Sequence, residues 1–145
     1  MSKGDIFENQ LLLCIFQNAN IPLIGDAAGI RNSATAGSLF VSLHTADPGE
    51  AGVQTTSESA YTSYARVGVA RTSGGWTVTN NTVTPTATIA FPACTGGTST
   101  ITHFAVGTDT SGAGKILYKG TLSPTITVTN GVTPQLTTAT TIIED

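Results

Sequence analysis

Threonine supplies 27 of the 145 residues, and valine and isoleucine join it in short β-branched runs cut by glycine, asparagine and proline. Side chains branched at Cβ are stiff about χ1. They crowd the preceding turn of a helix and sit well on a pleated surface. A chain written this way has to fold mostly as strands, and its strands have to be short, because turn chemistry interrupts them every eight to twelve residues.

The runs at 39–44, 64–71, 76–80, 82–91, 100–107, 115–122, 125–129 and 135–143 read as strands. Several alternate as a half-buried antiparallel strand must: Val67 and Val69 interleave with Arg66 and Gly68, and Ile126 and Val128 with threonines. Between them stand the glycine pair Gly74-Gly75, Asn80-Asn81, Gly96-Gly97, the glycines of 110–114 and Asn130-Gly131, all turn formers. About eight such strands predict an all-β fold, an antiparallel β-sandwich or jelly roll, with a barrel as the variant. No fixed-period repeat is visible, which sets aside solenoids and propellers.

One helix is expected, at the N-terminus. Ser2 can cap it with Asp5 three residues on, and Phe7, Leu11, Cys14 and Ile15 fall on one face. Leu12, Leu13 and Phe16 widen that apolar stripe beyond what one surface contact requires. Phe7, Leu11 and Ile15 are therefore predicted to bury against the sandwich or a neighbouring subunit. Small residues and glycine breaks then make 21–37 a linker. The expected organisation is a helix and linker arm at 1–37 and a β-sandwich domain at 38–145, folding as one unit.

A chain of this length buries about 70% of its unfolded surface, so its core needs neither a disulfide nor a metal. Cys14 and Cys94, with no ligand spacing around them, read as small buried hydrophobes. Only 10% of residues are charged, the net charge is −3, and 72–108 holds no Asp, Glu, Lys or Arg. Nucleic acid is excluded as a partner, because neutralising phosphates takes clustered Lys and Arg. The apolar run near the N-terminus is far below the ~20 residues of a membrane span. Asp5 and Glu8 precede it and no clean cleavage motif follows, so neither a signal peptide nor a membrane partner is expected. Asn80-Asn81-Thr82 is then a chance sequon. Strand edges with so little charge are weakly protected against pairing, which predicts self-association as a homo-oligomer.

The segment VSLHTADPGEAGVQTT (41–56) concentrates what chemistry the chain offers. His44 ends a strand, Asp47 opens a turn, Pro48 presets its backbone angle, and Gly49 supplies freedom. These four residues are read as a structural turn, with Glu50 keeping its tip solvated. His44 and His103 can meet across strands, with Asp47 or Asp109 nearby, but no ligand spacing supports a metal site. No G-x-S-x-G elbow exists, and Ile116 stands where a phosphate loop beginning at Thr110 would need a hydroxyl. The acids that glycoside cleavage would pair all lie outside 72–108. Trp76, the sole tryptophan, follows a Ser-Gly-Gly turn and is expected in the core rather than on a sugar-stacking platform. No catalytic, cofactor-binding or metal-binding residue is predicted.

The string SLHTADPGEAGVQTTSESAYTSYARVGVART, then GWTV, FPACTGG, THFAVGT, GAGKILYKGTL and the closing NGVTPQLTTATTIIED, resembles a family of small structural proteins of tailed bacteriophages. The likeness runs from GDIFENQLL to the acidic terminus. Members are often labelled tail fibre proteins, and the size and β-rich pattern also look like jelly-roll cement or decoration proteins of phage heads. The resemblance implies a non-enzymatic virion component, made in the host cytoplasm, that assembles as copies of itself on another phage protein. Tyr61 and Tyr64 then anchor the returning loop as half-buried rings whose hydroxyls find polar partners. The first expectation is a capsid cement protein that binds and stabilises the major capsid protein shell, because 145 residues without a repeat leave no room for a fibre shaft. The alternatives are a tail fibre or tail-tip subunit and, third, a carbohydrate-binding module.

Overall fold

The computed structural model describes residues 2–145. One helix, α1 (Asp5–Gln17), precedes nine strands: β1 (Ser38–His44), β2 (Val67–Ala70), β3 (Trp76–Thr79), β4 (Thr82–Pro85), β5 (Ile89–Ala90), β6 (Ser99–Gly107), β7 (Ile116–Val128), β8 (Gln135–Leu136) and β9 (Ile142–Ile143). They form a four-stranded sheet ordered β2-β1-β6-β7, a three-stranded sheet β3-β4-β9 and a pair β5-β8. The β1–β6, β6–β7, β3–β4, β4–β9 and β5–β8 pairings are antiparallel. This is the all-β class read from the sequence, consistent with a sandwich and carrying one N-terminal helix.

The chain gathers into two compact units, each built from separated segments. Met1–Ser38, Val69–Thr88 and Thr137–Asp145 make the first, and Leu39–Gly68 with Ile89–Leu136 the second. The N-terminal arm thus shares its unit with the β3–β4 hairpin and the C-terminal tail.

Four predicted strands differ in how they are divided or joined. The run 82–91 is parted into β4 and β5, which join different sheets, and 135–143 is likewise parted into β8 and β9. Threonine fills both breaks, and because its hydroxyl also suits turns it sends no stop signal through a β-branched run. Conversely, 115–122 and 125–129 merge into β7. Ile101 faces Ile126 while His103 faces Thr121, so Leu122, Ser123, Pro124 and Thr125 bulge out of register. A proline, which has no N–H for the ladder, is accommodated at such a bulge.

In the first unit α1 lies along the β3–β4 hairpin. Gln17 Nε2 donates to the Trp76 carbonyl at 2.7 Å, and Asn9 Nδ2 to the Asn80 carbonyl at 2.8 Å. The helix begins at Asp5 with Gly4 at its cap and no side-chain capping bond, so Ser2 is not the cap the sequence predicted. It ends on Asn18 in the left-handed conformation (φ 57°), which asparagine tolerates. No basic residue lies in its last turn. Arg71 supplies that charge from outside, donating from Nε to the Ile15 carbonyl at 2.6 Å and from Nη2 to the Cys14 carbonyl at 2.7 Å.

The buried face of α1 is Glu8, Leu12 and Phe16, spaced i, i+4, i+8. Phe7 is 36% exposed, and Leu11 and Ile15 are half-buried, so within the chain the predicted face is displaced by one residue. The helix is apolar nearly all round from Leu11 to Phe16. Contact with the hairpin, through Phe16 edge-on to Trp76 at 4.9 Å, selects the stripe. Leu12→Ala is accordingly expected to cost about 2–5 kcal/mol in urea denaturation, and Phe7→Ala no more than about 0.5 kcal/mol.

Candidate functional site

The loop after β1 holds the residues singled out in the sequence, and all of it lies in the second unit. β1 is buried on both faces: Leu39, Val41 and Leu43 enter the core, while Ser42 and His44, two residues apart and so on one side of the strand, are also fully buried. His44 Nδ1 lies 2.8 Å from the Thr56 carbonyl and Nε2 2.9 Å from Ser42 Oγ. A carbonyl only accepts, so Nδ1 carries the proton and Nε2 accepts from the serine hydroxyl. This is the connectivity of a nucleophile and its base, with a carbonyl where a triad has a carboxylate. Both side chains have 0% exposure, so no substrate reaches the pair. The i, i+2 spacing of Ser42 and His44 is the only mark of the pair in the sequence.

His103 stands directly opposite His44 in the β1–β6 register. Its ring bonds to Thr102 Oγ1 at 2.8 Å and Thr121 Oγ1 at 3.3 Å. The two histidines do meet across strands, but among the described residues no three His, Cys, Asp or Glu side chains gather as a metal would require.

Asp47 makes the predicted turn. Its Oδ1 accepts from the Gly49 amide at 2.8 Å, and Gly49 takes φ +74° after Pro48. Lys119 Nζ reaches Asp47 at 3.0 Å and Glu50 at 3.1 Å. The Gly49 N–H and then Lys119 hold the Asp47 carboxyl below its usual range. Both carboxylates are solvent-facing, and such pairs contribute little to stability.

Beyond the turn the loop dives inward. Gln54, fully buried, donates from Nε2 to the Phe40 carbonyl at 3.2 Å and accepts at Oε1 from the Asp109 amide at 2.9 Å. A Cβ on Gly107 would lie 2.2 Å from Gln54 Cδ, and one on Gly114 2.2 Å from Oε1, so these two glycines form the slot for its carboxamide.

Farther along, Arg66 grips Glu58 with two hydrogen bonds of 2.7 Å and donates to the Asp109 and Gly112 carbonyls at 2.9 and 2.7 Å. Tyr64 Oη donates to Glu58 at 2.9 Å and accepts from the Leu43 amide at 3.0 Å. Tyr61 Oη donates to the Pro92 carbonyl at 2.9 Å, and burial pushes its hydroxyl up to about 12. Both tyrosines are the polar-tipped anchors expected. Glu58 sits in irregular backbone where no periodicity marks it, and Arg66, read as a member of the alternating run 64–71, lies buried just ahead of β2, which begins only at Val67.

The loop is thus a brace, tied to the sheet by buried polar contacts. The family model of the podophage GP4 fiber I protein gp80 matches residues 5–144. The chain belongs to this family. No curated protein matches it. The fiber I match covers α1, all nine strands and the whole brace, and it makes the chain a phage structural protein. Among the described residues no helix is long and apolar enough to cross a membrane.

In this chain the buried histidine sets a pH dependence. Burial, the dominant cause, holds the folded His44 below its ordinary 6.5. Between the two values the unfolded chain binds more protons than the folded one. The contribution is full above 6.5 and is lost as pH falls from there through the folded value. The urea midpoint is expected to fall between about pH 7 and about pH 5, and His44→Gln should flatten that slope.

Proposed function

We propose that the chain is a non-enzymatic structural subunit of a podophage tail fibre. The observation that carries this reading is the fiber I description of the family matched over 5–144. The site geometry supports it: the Ser42–His44 pair is sealed from solvent, and the turn acids are engaged by a backbone amide and Lys119. The fibre reading thereby moves ahead of the capsid cement reading, with its major capsid protein partner. That expectation rested on the lack of a shaft in 145 residues, yet a fibre assembled from several chains takes a short block as one part. Self-association belongs to the same proposal, with the half-exposed stripe Phe7, Leu11 and Ile15 as its surface.

Immunogold labelling of virions tests the location. Gold on tails supports the fibre reading, and gold confined to heads refutes it. Sedimentation of the purified chain tests self-association: an oligomer lost in Leu11→Asp supports it, and a monomer at every concentration removes that part.

A further inference from the structure

Within the first unit, the chain between α1 and β1 forms a loop, 18–33, whose neck is sewn shut. The Asn18 carboxamide bonds both ways to Ser33, accepting from its amide and donating to its carbonyl at 2.9 Å each, and Asn20 Oδ1 accepts from the Asn32 amide at 2.8 Å. Ile21 and Ile30 then exchange two backbone bonds of 2.9 Å, so close to Gly29 that a Cβ there would lie 1.9 Å from the Ile21 carbonyl oxygen. Such a closed neck fixes the tip above it. At that tip Leu23 is 81% exposed with φ +63°, a left-handed conformation unfavourable to leucine, and Ile24 beside it is 44% exposed. The fold therefore spends backbone strain on presenting an apolar side chain to water. At the neck, the Arg31 guanidinium makes neither a hydrogen bond nor an ion pair among the described residues.

The second unit has a cavity of about 230 Å³ between the turn at 49–52 and the start of β7, lined by Gly49, Glu50, Gly52 and residues 116–119. Leu117, which lines it, is the one large apolar side chain exposed in that unit among the described residues. We propose that the Leu23 tip of one copy of the chain seats in this cavity of a second copy. The volume falls below the roughly 300–1,000 Å³ of small-molecule sites, yet a cavity of about 150 Å³ already accepts a benzene-sized group, so an aliphatic side chain fits. The charges agree with the shape. Asp26 and Arg31 flank the tip, while Lys119 and Glu50 flank the cavity, so an acid and a base on each rim meet their opposites around an apolar centre. A tip and a cavity on different surfaces make a heterologous contact, which runs on from copy to copy into a ring or filament instead of closing a pair. The inference rests on the self-association proposed above for its partner, and it adds a second surface to the helix stripe.

Photo-cross-linking tests it, because one tip in one cavity is a small contact that sedimentation reads poorly. A short aliphatic diazirine residue in place of Leu23 is irradiated in an equimolar mixture of unlabelled and ¹⁵N-labelled full chains, and peptide pairs of mixed isotope mark contacts between copies. These pairs are expected to join position 23 to 49–52 or 116–119. Leu117→Asp should lower their yield about tenfold or more, since it sets a charge at the apolar centre. Arg31→Glu, at an exposed position, should lower it severalfold. Unchanged circular dichroism certifies the fold of each variant. Mixed pairs that map elsewhere, pairs confined to one isotope, or an undiminished yield in both variants overturn the contact. Sedimentation separates that failure from failure of self-association itself: an oligomer without the expected cross-link removes the tip contact alone, and a monomer without it removes both.

Discussion

Arg66→Ala is expected to lower stability by about 3–5 kcal/mol, a large part of the ~5–15 kcal/mol that holds a domain of ordinary stability together. The Arg66 side chain is 2% exposed and that of Glu58 14%, so their bidentate pair is largely withdrawn from water. Glu58 in turn raises the Arg66 pKa above its ordinary value, chiefly through the side-chain hydrogen bond. Truncating the arginine leaves the Glu58 carboxylate and the Asp109 and Gly112 carbonyls without that donor at once. Adding Glu58→Gln should restore part of the loss, because the penalty comes mainly from the uncompensated charge. The turn that Arg66 ties down ends at Lys115, so the single variant should also be cleaved faster by trypsin there. An Arg66→Ala protein as stable as the wild type would show that desolvating the pair cancels its attraction.

Trp76→Ala is the second large effect, about 3–5 kcal/mol by the usual cost of emptying an aromatic site. The ring is 1% exposed and meets the edge of Phe16. Its Nε1 has no acceptor among the described residues. A buried N–H left unmade costs about 1–3 kcal/mol, so Trp76→Phe, which keeps an aromatic ring and removes that donor, is expected to cost less than half as much. Circular dichroism during urea unfolding reads both variants, and wild-type Trp76 should fluoresce as an apolar-site indole that reddens on unfolding. Equal losses in the two variants would mean that the indole's size, and not its uncompensated donor, governs the site.

Much of the architecture is legible in the sequence because it depends on local chemistry. Asn80-Asn81 joins β3 to β4 as its turn residues predict, with Thr79 opposite Thr82. Asp47 and Gly49 shape the loop through a bond two residues long. Tyr61 and Tyr64 bury their rings because large amphipathic side chains do so in almost any β-sheet protein. The brace was legible only in its turn. Glu58 reaches Arg66 from backbone that follows no period, and Gln54 meets Asp109 across 55 positions.

The α1 face shows the same divide from another side. Leu11, Leu12, Leu13, Ile15 and Phe16 announce a buried helix, but five apolar residues in six positions do not say which stripe goes inward. Only the hairpin against which the helix lies decides for Leu12 and Phe16, and in doing so it carries Glu8 inward with them. The β-branched runs behave alike: their composition demands strands, while the partition of 82–91 and 135–143 between sheets depends on partners far along the chain.

By itself, then, the sequence determined the all-β class, the single N-terminal helix, the main turns and the absence of charge through 72–108, all consequences of side-chain shape and short-range hydrogen bonding. Tertiary structure decided which helix face is buried, which strands share a sheet, the sealing of Ser42 against His44 and the Arg66–Glu58 clamp. Each of these turns on a contact between residues whose burial is set by the partner element. That burial decides whether the same hydroxyl, imidazole or carboxylate becomes a structural tie or stays open to solvent.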